Sequence, residues 1–169
     1  MTDGWIDIPT ILQFIRELAA YEHAEHEVEA TEDSLRETLT FAGSGTTTSN
    51  KPRGGAVQTF LITPSDGTQP VGMALFFYNY STWRAAPGVY LEDLYVQPAQ
   101  RGQGYGLALL RELAREVRRI GGRRLEWSVL DWNEPSIRFY EGLGARRMSE
   151  WVKMMVEGEA ALQTLAGSS

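Results

Sequence analysis

Hydrophobic residues recur at three- and four-residue intervals in two long stretches of the chain, residues 9–22 and 104–120. This spacing places the apolar side chains on one face and predicts two amphipathic helices. Two shorter helices are predicted. One spans residues 31–41, where Thr31 is a good N-cap, and the other spans residues 135–144, which begin with proline and reach a glycine.

Runs of β-branched and aromatic residues predict five strands. They are Val57–Ile62, Val71–Tyr80, Val89–Val96, Arg124–Leu130 and Arg147–Val156. Helices, then antiparallel hairpins, then a strand–helix–strand–helix–strand run predict an α/β fold with one mixed sheet and helices on both faces. No repeat or linker separates two cores. Residues 1–169 are therefore interpreted as one domain, with a flexible loop at 43–55 and a partly helical tail at 157–169.

Composition and charge narrow the class of protein. The chain has 169 residues, of which 43% are hydrophobic and 22% charged, an ordinary globular balance. Its net charge of -6 disfavours nucleic-acid binding and favours a cationic small molecule or a basic peptide. No apolar run approaches the ~20 residues of a membrane span, and no secretion signal is visible. A cytoplasmic protein without membrane contact is expected.

Two kinds of site chemistry are excluded or disfavoured. The sequence contains no cysteine, which excludes a thiol nucleophile, a disulfide and a zinc–thiolate site. His23 and His26 lie three residues apart beside acidic side chains, a spacing at which a metal site can be imagined. Two solvated histidines are the simpler interpretation, so no metal is predicted.

A glycine-rich segment joins the third predicted strand to the long helix. It consists of Arg101, Gly102, Gln103, Gly104, Tyr105 and Gly106. The first amides of a helix lack internal partners and, with the helix dipole, favour an anion such as a diphosphate. A Walker loop is excluded because no Lys-Ser or Lys-Thr occurs in the sequence. A dinucleotide-binding fingerprint is excluded because Leu107 stands at the position that requires its third glycine. A plain glycine-rich turn is the alternative.

The spacing Arg-x-x-Gly-x-Gly in this segment resembles the acetyl-CoA loop of the GCN5-related N-acetyltransferases (GNAT superfamily). Downstream the chain is also similar to the superfamily's second motif, Asn-x-x-Ala-x-x-x-Tyr-x-x-x-Gly. The matching residues are Asn133, Ser136 in place of the alanine, Tyr140 and Gly144. Ser81–Trp83, Tyr90–Val96 and Leu130–Asn133 narrow the resemblance to the diamine acetyltransferase branch, which contains spermidine/spermine and thialysine acetyltransferases.

This resemblance implies a fold, a reaction and partners. The fold is the GNAT acyl-CoA acyltransferase fold, a mostly antiparallel central sheet with a splayed parallel pair and flanking helices. Acetyl-CoA is expected to donate its acetyl group directly to a primary amine of a thialysine-like amino acid or a polyamine, and the protein is expected to be a homodimer. Two alternatives stay open, namely acetylation of protein lysines or N-termini and a non-catalytic CoA-binding regulatory module.

The cofactor and catalytic residues are implied in the same way. Tyr140 is expected to be the general acid that protonates the CoA sulfur, and a core tyrosine is the alternative. Asn133 can cap the helix, hydrogen-bond the pantetheine arm, or do both. The residues expected at the cofactor are Leu94, Tyr95, Val96, the glycine-rich segment 101–106, Asn133, Ser136 and Tyr140.

The acceptor is expected among acidic and aromatic side chains. Tyr21 and Glu22 match the family's acceptor wall. Trp83 is a further candidate, with an exposed hairpin residue or a dimer contact as the alternative. Glu92 and Asp93 are candidates for amine binding, and Glu92 also for relaying the amine proton through water. Because neighbours in a strand face opposite sides, only one of the two should enter a given cleft unless a bulge intervenes. A structural salt bridge is the alternative for either residue.

Two departures from the family pattern concern the first third of the chain. The family opens with a strand reading roughly Ile-Arg-x-Ala, whereas here only Gly4–Ile8 precedes the first helix. The first strand is therefore expected to be short, replaced or missing. The loop at 43–55 also differs from the short family connection and could alter access to the acceptor site.

Overall fold

The computed structural model describes residues 7–39, 57–67 and 69–167. The chain divides into two compact units, Met1–Ser128 and Val129–Ser169. The interpretation as one domain stays a prediction. The expected loop at 43–55, and the segment in which the family's first strand would lie, fall outside the described residues. Within those residues, no helix is long and apolar enough to cross a membrane.

Four strands form one mixed sheet in the first unit. They are β1 (Val57–Ile62), β2 (Gly72–Ser81), β3 (Ala86–Val96) and β4 (Leu125–Trp127), in that spatial order. The pairs β1–β2 and β2–β3 are antiparallel, whereas β3 and β4 are parallel. This confirms a mixed sheet with antiparallel pairs and one parallel pair, formed by four of the five predicted strands. β4 is shorter than the predicted strand 124–130, because it pairs with β3 over three residues, Val89–Leu91.

Three helices accompany this sheet, α1 (Ile8–Tyr21), α2 (Glu32–Thr38) and α3 (Tyr105–Arg119). Thr31 caps α2 as predicted, and its side chain accepts a hydrogen bond from the Ser34 amide at 3.1 Å. α2 ends before the predicted residue 41, because Leu39 adopts extended backbone and bridges to Val57.

The two long helices cover opposite faces of the sheet. Residues of α1 pack in one buried cluster with residues of β2 and β3, and the members include Ile8, Ile11, Phe14, Met73, Leu75 and Tyr95. Side chains alternate between faces along β2, so Phe76 and Tyr78 point to the other face. There the Tyr78 hydroxyl donates to the Glu116 carboxylate of α3. We call the face of the sheet that packs against α1 the α1 face, and the opposite one the α3 face.

A β-bulge interrupts the β2–β3 ladder at Glu92. Leu75 pairs with Asp93, while the next residue, Phe76, pairs with Leu91, so Glu92 has no partner opposite it on β2. Paired residues share a face. Asp93 therefore lies on the α1 face with Leu75, and Leu91 lies on the α3 face with Phe76. The bulge changes which side chains of β3 point toward α1.

The second unit contains α4 (Glu134–Gly142) and α5 (Glu159–Ala166). α4 agrees with the predicted helix 135–144, and α5 with the partly helical tail. The predicted strand Arg147–Val156 is wrong. A turn at Ser149 and Glu150 interrupts it, and no described strand pairs with it to complete its backbone hydrogen bonds. The Arg147 side chain instead donates to Glu141 at 2.8 Å, which ties the segment back to α4.

Candidate active site

The glycine-rich segment lies between β3 and α3, as predicted. Gly102 and Gly104 have φ of 78° and 86°, in the left-handed region that favours glycine. A Cβ added at either position would meet nothing within 4 Å, so glycine is needed for the backbone conformation, and space is open above the loop. Among the described residues, no side chain caps α3, whose first internal hydrogen bond runs from the Ala108 amide to the Gly104 carbonyl. The amides before Ala108 and the open loop fit a diphosphate.

Arg101, the first residue of the loop, contacts both β3 and α1. Its Nε donates to the Val96 carbonyl at 3.0 Å. Its guanidinium carbon lies 5.0 Å from the centroid of the Tyr21 ring, in cation–π geometry. The end of α1, the end of β3 and the start of the glycine loop therefore meet at one point.

Three carboxylates gather beside this junction. Burial, together with the negative charges of Glu92 and Glu22, raises the pKa of Asp93 to about 6. Burial also raises the pKa of Glu22, the C-cap residue of α1. The bulge places Asp93 on the α1 face, where Glu22 lies. We call Glu22, Glu92 and Asp93 the acidic cluster, and it favours a cation.

The strand residues predicted to meet the pantetheine arm lie beyond the point where β4 ends. β4 stops in register with Leu91, so residues 92–96 have no described strand beside them on that edge. The side chains of Leu94 and Val96 are partly buried. Tyr95 belongs to the core, with its ring centroid 5.4 Å from that of Phe14. Its hydroxyl donates a hydrogen bond to the Glu17 carboxylate, and burial, together with this hydrogen bond, raises the pKa of Tyr95 to about 12.

The second motif forms the start and the body of α4. Asn133 is the N-cap of α4, and its Oδ1 accepts a hydrogen bond from the Ser136 amide at 3.4 Å. This is the capping role that the sequence allows. Tyr140 lies in the last turns of α4 with its ring 5.3 Å from that of Phe139. The second unit thus places Ser136 and Tyr140 on one short helix and Asn133 at its N-cap.

Trp83, a predicted acceptor residue, does not lie at the acidic cluster of its own chain. Trp83 lies in the 3₁₀ turn Thr82–Arg84 between β2 and β3, and its side chain is 88% exposed. Six ladder positions separate Leu75, opposite Asp93, from Ser81 at this turn, or about 20 Å at roughly 3.3 Å per residue. His23 and His26 belong to no group of three or more metal-ligating side chains in the described part of the chain.

Comparison with known proteins identifies the family. The sequence pattern of the acetyltransferase (GNAT) family matches residues 15–145. The chain belongs to this family. It is 36% identical over 166 residues to the thialysine N-epsilon-acetyltransferase of Mus musculus, covering 95% of this chain and 92% of that protein. It is 30% identical to the L-ornithine N5-acetyltransferase of Arabidopsis thaliana, with 91% and 82% covered.

The fold of this acetyltransferase is likewise similar to solved structures. An aminoglycoside acetyltransferase from an uncultured soil metagenomic sample, crystallised with sisomicin, superposes with a TM-score of 0.69. Its sequence is 15% identical, and 92% of each chain is covered, so the likeness concerns the fold alone. The predicted superfamily, its diamine branch and the acetyltransferase class are confirmed by the family match and the relatives.

Sequence reasoning missed one feature of the candidate site and left a second open. One is the Tyr21–Arg101 contact, for which residues 80 positions apart give no local signal. The other is the bulge, for which a signal exists. The α3-face residues of β3 are Val89, Leu91, Leu94 and Val96. Their spacing changes from two to three after Leu91, as an extra residue in the strand requires.

The raised pKa of Asp93 predicts a gain in stability when its charge is removed. The folded-state pKa of about 6 lies above the unfolded value, so ionising Asp93 costs stability as pH rises from about 4 to about 6. We expect Asp93→Asn to raise the free energy of unfolding by about 1–2 kcal/mol at pH 8, after allowance for partial exposure. This is measured by urea unfolding at pH 8 and pH 4.

At pH 4 the gain should disappear, because Asp93 is then largely neutral in the wild-type protein. The matched control is Asp66→Asn, the same substitution at an exposed residue of the β1–β2 turn. An equal effect at both pH values, or an equal effect of the control, would contradict the assignment.

Proposed function

We propose that this acetyltransferase moves the acetyl group of acetyl-CoA directly to a primary amine of a small cationic acceptor. A thialysine-like amino acid or a polyamine is the expected acceptor class. The observation that carries this proposal is the acidic cluster, which lies beside the junction of α1, β3 and the glycine loop. A cation that binds there offsets the mutual repulsion of the three carboxylates.

The glycine loop supports binding of the CoA diphosphate. Arg101 contributes a positive charge, the segment from Gly102 to Gly104 contributes open space, and α3 directs its free amides toward the same region. The edge of β3 after Leu91 supports backbone contacts to the pantetheine arm. Asn133 and Ser136 are proposed for the same arm through the family motif, in addition to the cap that they form.

The proposed reaction forms one bond and breaks one. The amine nitrogen attacks the thioester carbon, the new C–N bond forms, and the C–S bond breaks. Tyr140 gives its phenolic proton to the leaving sulfur, and Glu92 accepts the amine proton through water. A covalent acyl-cysteine cannot form because the sequence has no cysteine. A homodimer and a cytoplasmic location remain predictions from the family resemblance and the sequence.

The test is an acceptor panel with the purified full chain and acetyl-CoA. Thialysine, spermidine, ornithine and a lysine-containing peptide are each offered, and free CoA thiol and the mass of the product are measured. We expect thiol release and an acetylated product with the small diamines. Release with the peptide alone would replace the proposal by protein acetylation. Calorimetric binding of acetyl-CoA without release for any acceptor would instead indicate a CoA-binding module.

A further inference from the structure

A cation–π contact joins the last residue of α1 to the first residue of the glycine loop. The Arg101 guanidinium carbon lies 5.0 Å from the Tyr21 ring centroid, and Arg101 Nε donates to the Val96 carbonyl at 3.0 Å. We propose that Tyr21 is a positioning residue for the cofactor loop, because its ring holds Arg101 and thereby orients residues 102–106 for the CoA diphosphate. This inference rests on the proposed function.

The loop needs an external support of this kind. Gly102 and Gly104 carry no side chains that could pack, and glycine gives the backbone many alternative conformations. On the β3 side, the 3₁₀ turn Pro98–Gln100 ends with a hydrogen bond from the Arg101 amide to the Pro98 carbonyl at 3.3 Å. The Arg101 side chain extends this anchoring to α1. Since Arg101 is exposed, it would sample more rotamers without the ring beside it.

The same geometry separates the roles of two neighbouring residues. The face of the Tyr21 ring is occupied by a cation of the chain itself, and a second cation on that face would lie close to Arg101 and be repelled by it. Glu22 instead belongs to the acidic cluster with Asp93. The end of α1 therefore serves acetyl-CoA through Tyr21 and the amine through Glu22, whereas the family resemblance placed both residues in the acceptor wall.

The test compares Tyr21→Leu, which removes the ring, with Tyr21→Phe, which keeps it. Calorimetry measures the Kd of coenzyme A, and steady-state kinetics separate the KM of acetyl-CoA, the KM of spermidine and kcat. For Tyr21→Leu we expect the Kd of coenzyme A and the KM of acetyl-CoA to rise about two- to fivefold. The spermidine KM and kcat should change less than twofold. Tyr21→Phe should keep the wild-type affinity for coenzyme A.

A second variant at the other side of the contact makes the test independent of folding. Arg101→Gln, at an exposed side chain, should weaken coenzyme A binding in the wild-type background. Tyr21→Leu should add little to it, because the shared contact is already lost. If the two losses multiply, or if the Tyr21→Leu variant raises the spermidine KM instead, the positioning role is wrong.

The failure of this inference can be told from failure of the proposed function. If the wild-type chain binds coenzyme A but releases no thiol with any acceptor, the proposed reaction fails, and the affinities still decide the role of Tyr21. If thiol is released but Tyr21→Leu binds coenzyme A as the wild type does, the positioning role alone is overturned.

Discussion

Replacing Tyr140 by phenylalanine is expected to lower kcat by about 10²–10⁴-fold while the affinity for acetyl-CoA stays nearly unchanged. The substitution removes the hydroxyl proposed to protonate the leaving sulfur but keeps the ring that packs beside Phe139. General acid catalysis contributes a factor of this size. Thiol release under saturating substrates gives kcat, and calorimetry gives the Kd of acetyl-CoA.

The matched control for this prediction is Tyr80→Phe. Tyr80 lies near the end of β2, its side chain is 59% exposed, and nothing assigns it to the site. The control variant should keep wild-type kcat. A Tyr140→Phe variant whose kcat stays within twofold of wild type would remove Tyr140 from the proton transfer.

Neutralising two members of the acidic cluster should weaken amine binding selectively. In the double variant Glu22→Gln/Asp93→Asn, we expect the spermidine KM to rise about 10–100-fold, with about 1.4 kcal/mol of lost attraction for each factor of ten. The KM of acetyl-CoA should stay within twofold. In the wild-type protein the spermidine KM should rise as pH falls through about 6, because Asp93 then takes up a proton.

The control removes the same two charges from the neighbouring 3₁₀ turn. Glu25→Gln/Glu27→Gln changes exposed carboxylates that do not act on Asp93, so spermidine KM should remain near the wild-type value. Equal effects of the two double variants would mean that net charge attracts the amine and that no specific acidic site exists.

The elements that sequence predicts well are those whose signal is local. The predicted helix 9–22 agrees with α1 and the predicted strand Val57–Ile62 agrees with β1, because periodicity and turn residues lie within each segment. The strand predicted at Arg147–Val156 is wrong because strand formation also needs a pairing partner. Its apolar residues alone could not supply one.

The candidate site likewise has features with a local sequence signal and features that depend on distant residues. The glycine loop between a strand and a helix and the Asn133 cap of α4 can be predicted, because each depends on residues a few positions apart. Arg101 and Tyr21 meet only after α1 packs on the sheet, so their contact could not be read from either segment. The pKa of Asp93 depends on Glu22, which is 71 positions earlier in the chain.

The bulge at Glu92 shifts the alternation of side chains along β3 by one residue. Before it, even-numbered residues such as Tyr90 face α1. After it, odd-numbered residues such as Asp93 and Tyr95 do. Deleting Glu92 would leave Leu91 opposite Phe76 and Asp93 opposite Leu75, so the ladder would become regular and Asp93 would still face α1. The register of β3 against β2 therefore does not depend on Glu92, and both its substitution and its deletion should leave Asp93 on the same face as Glu22.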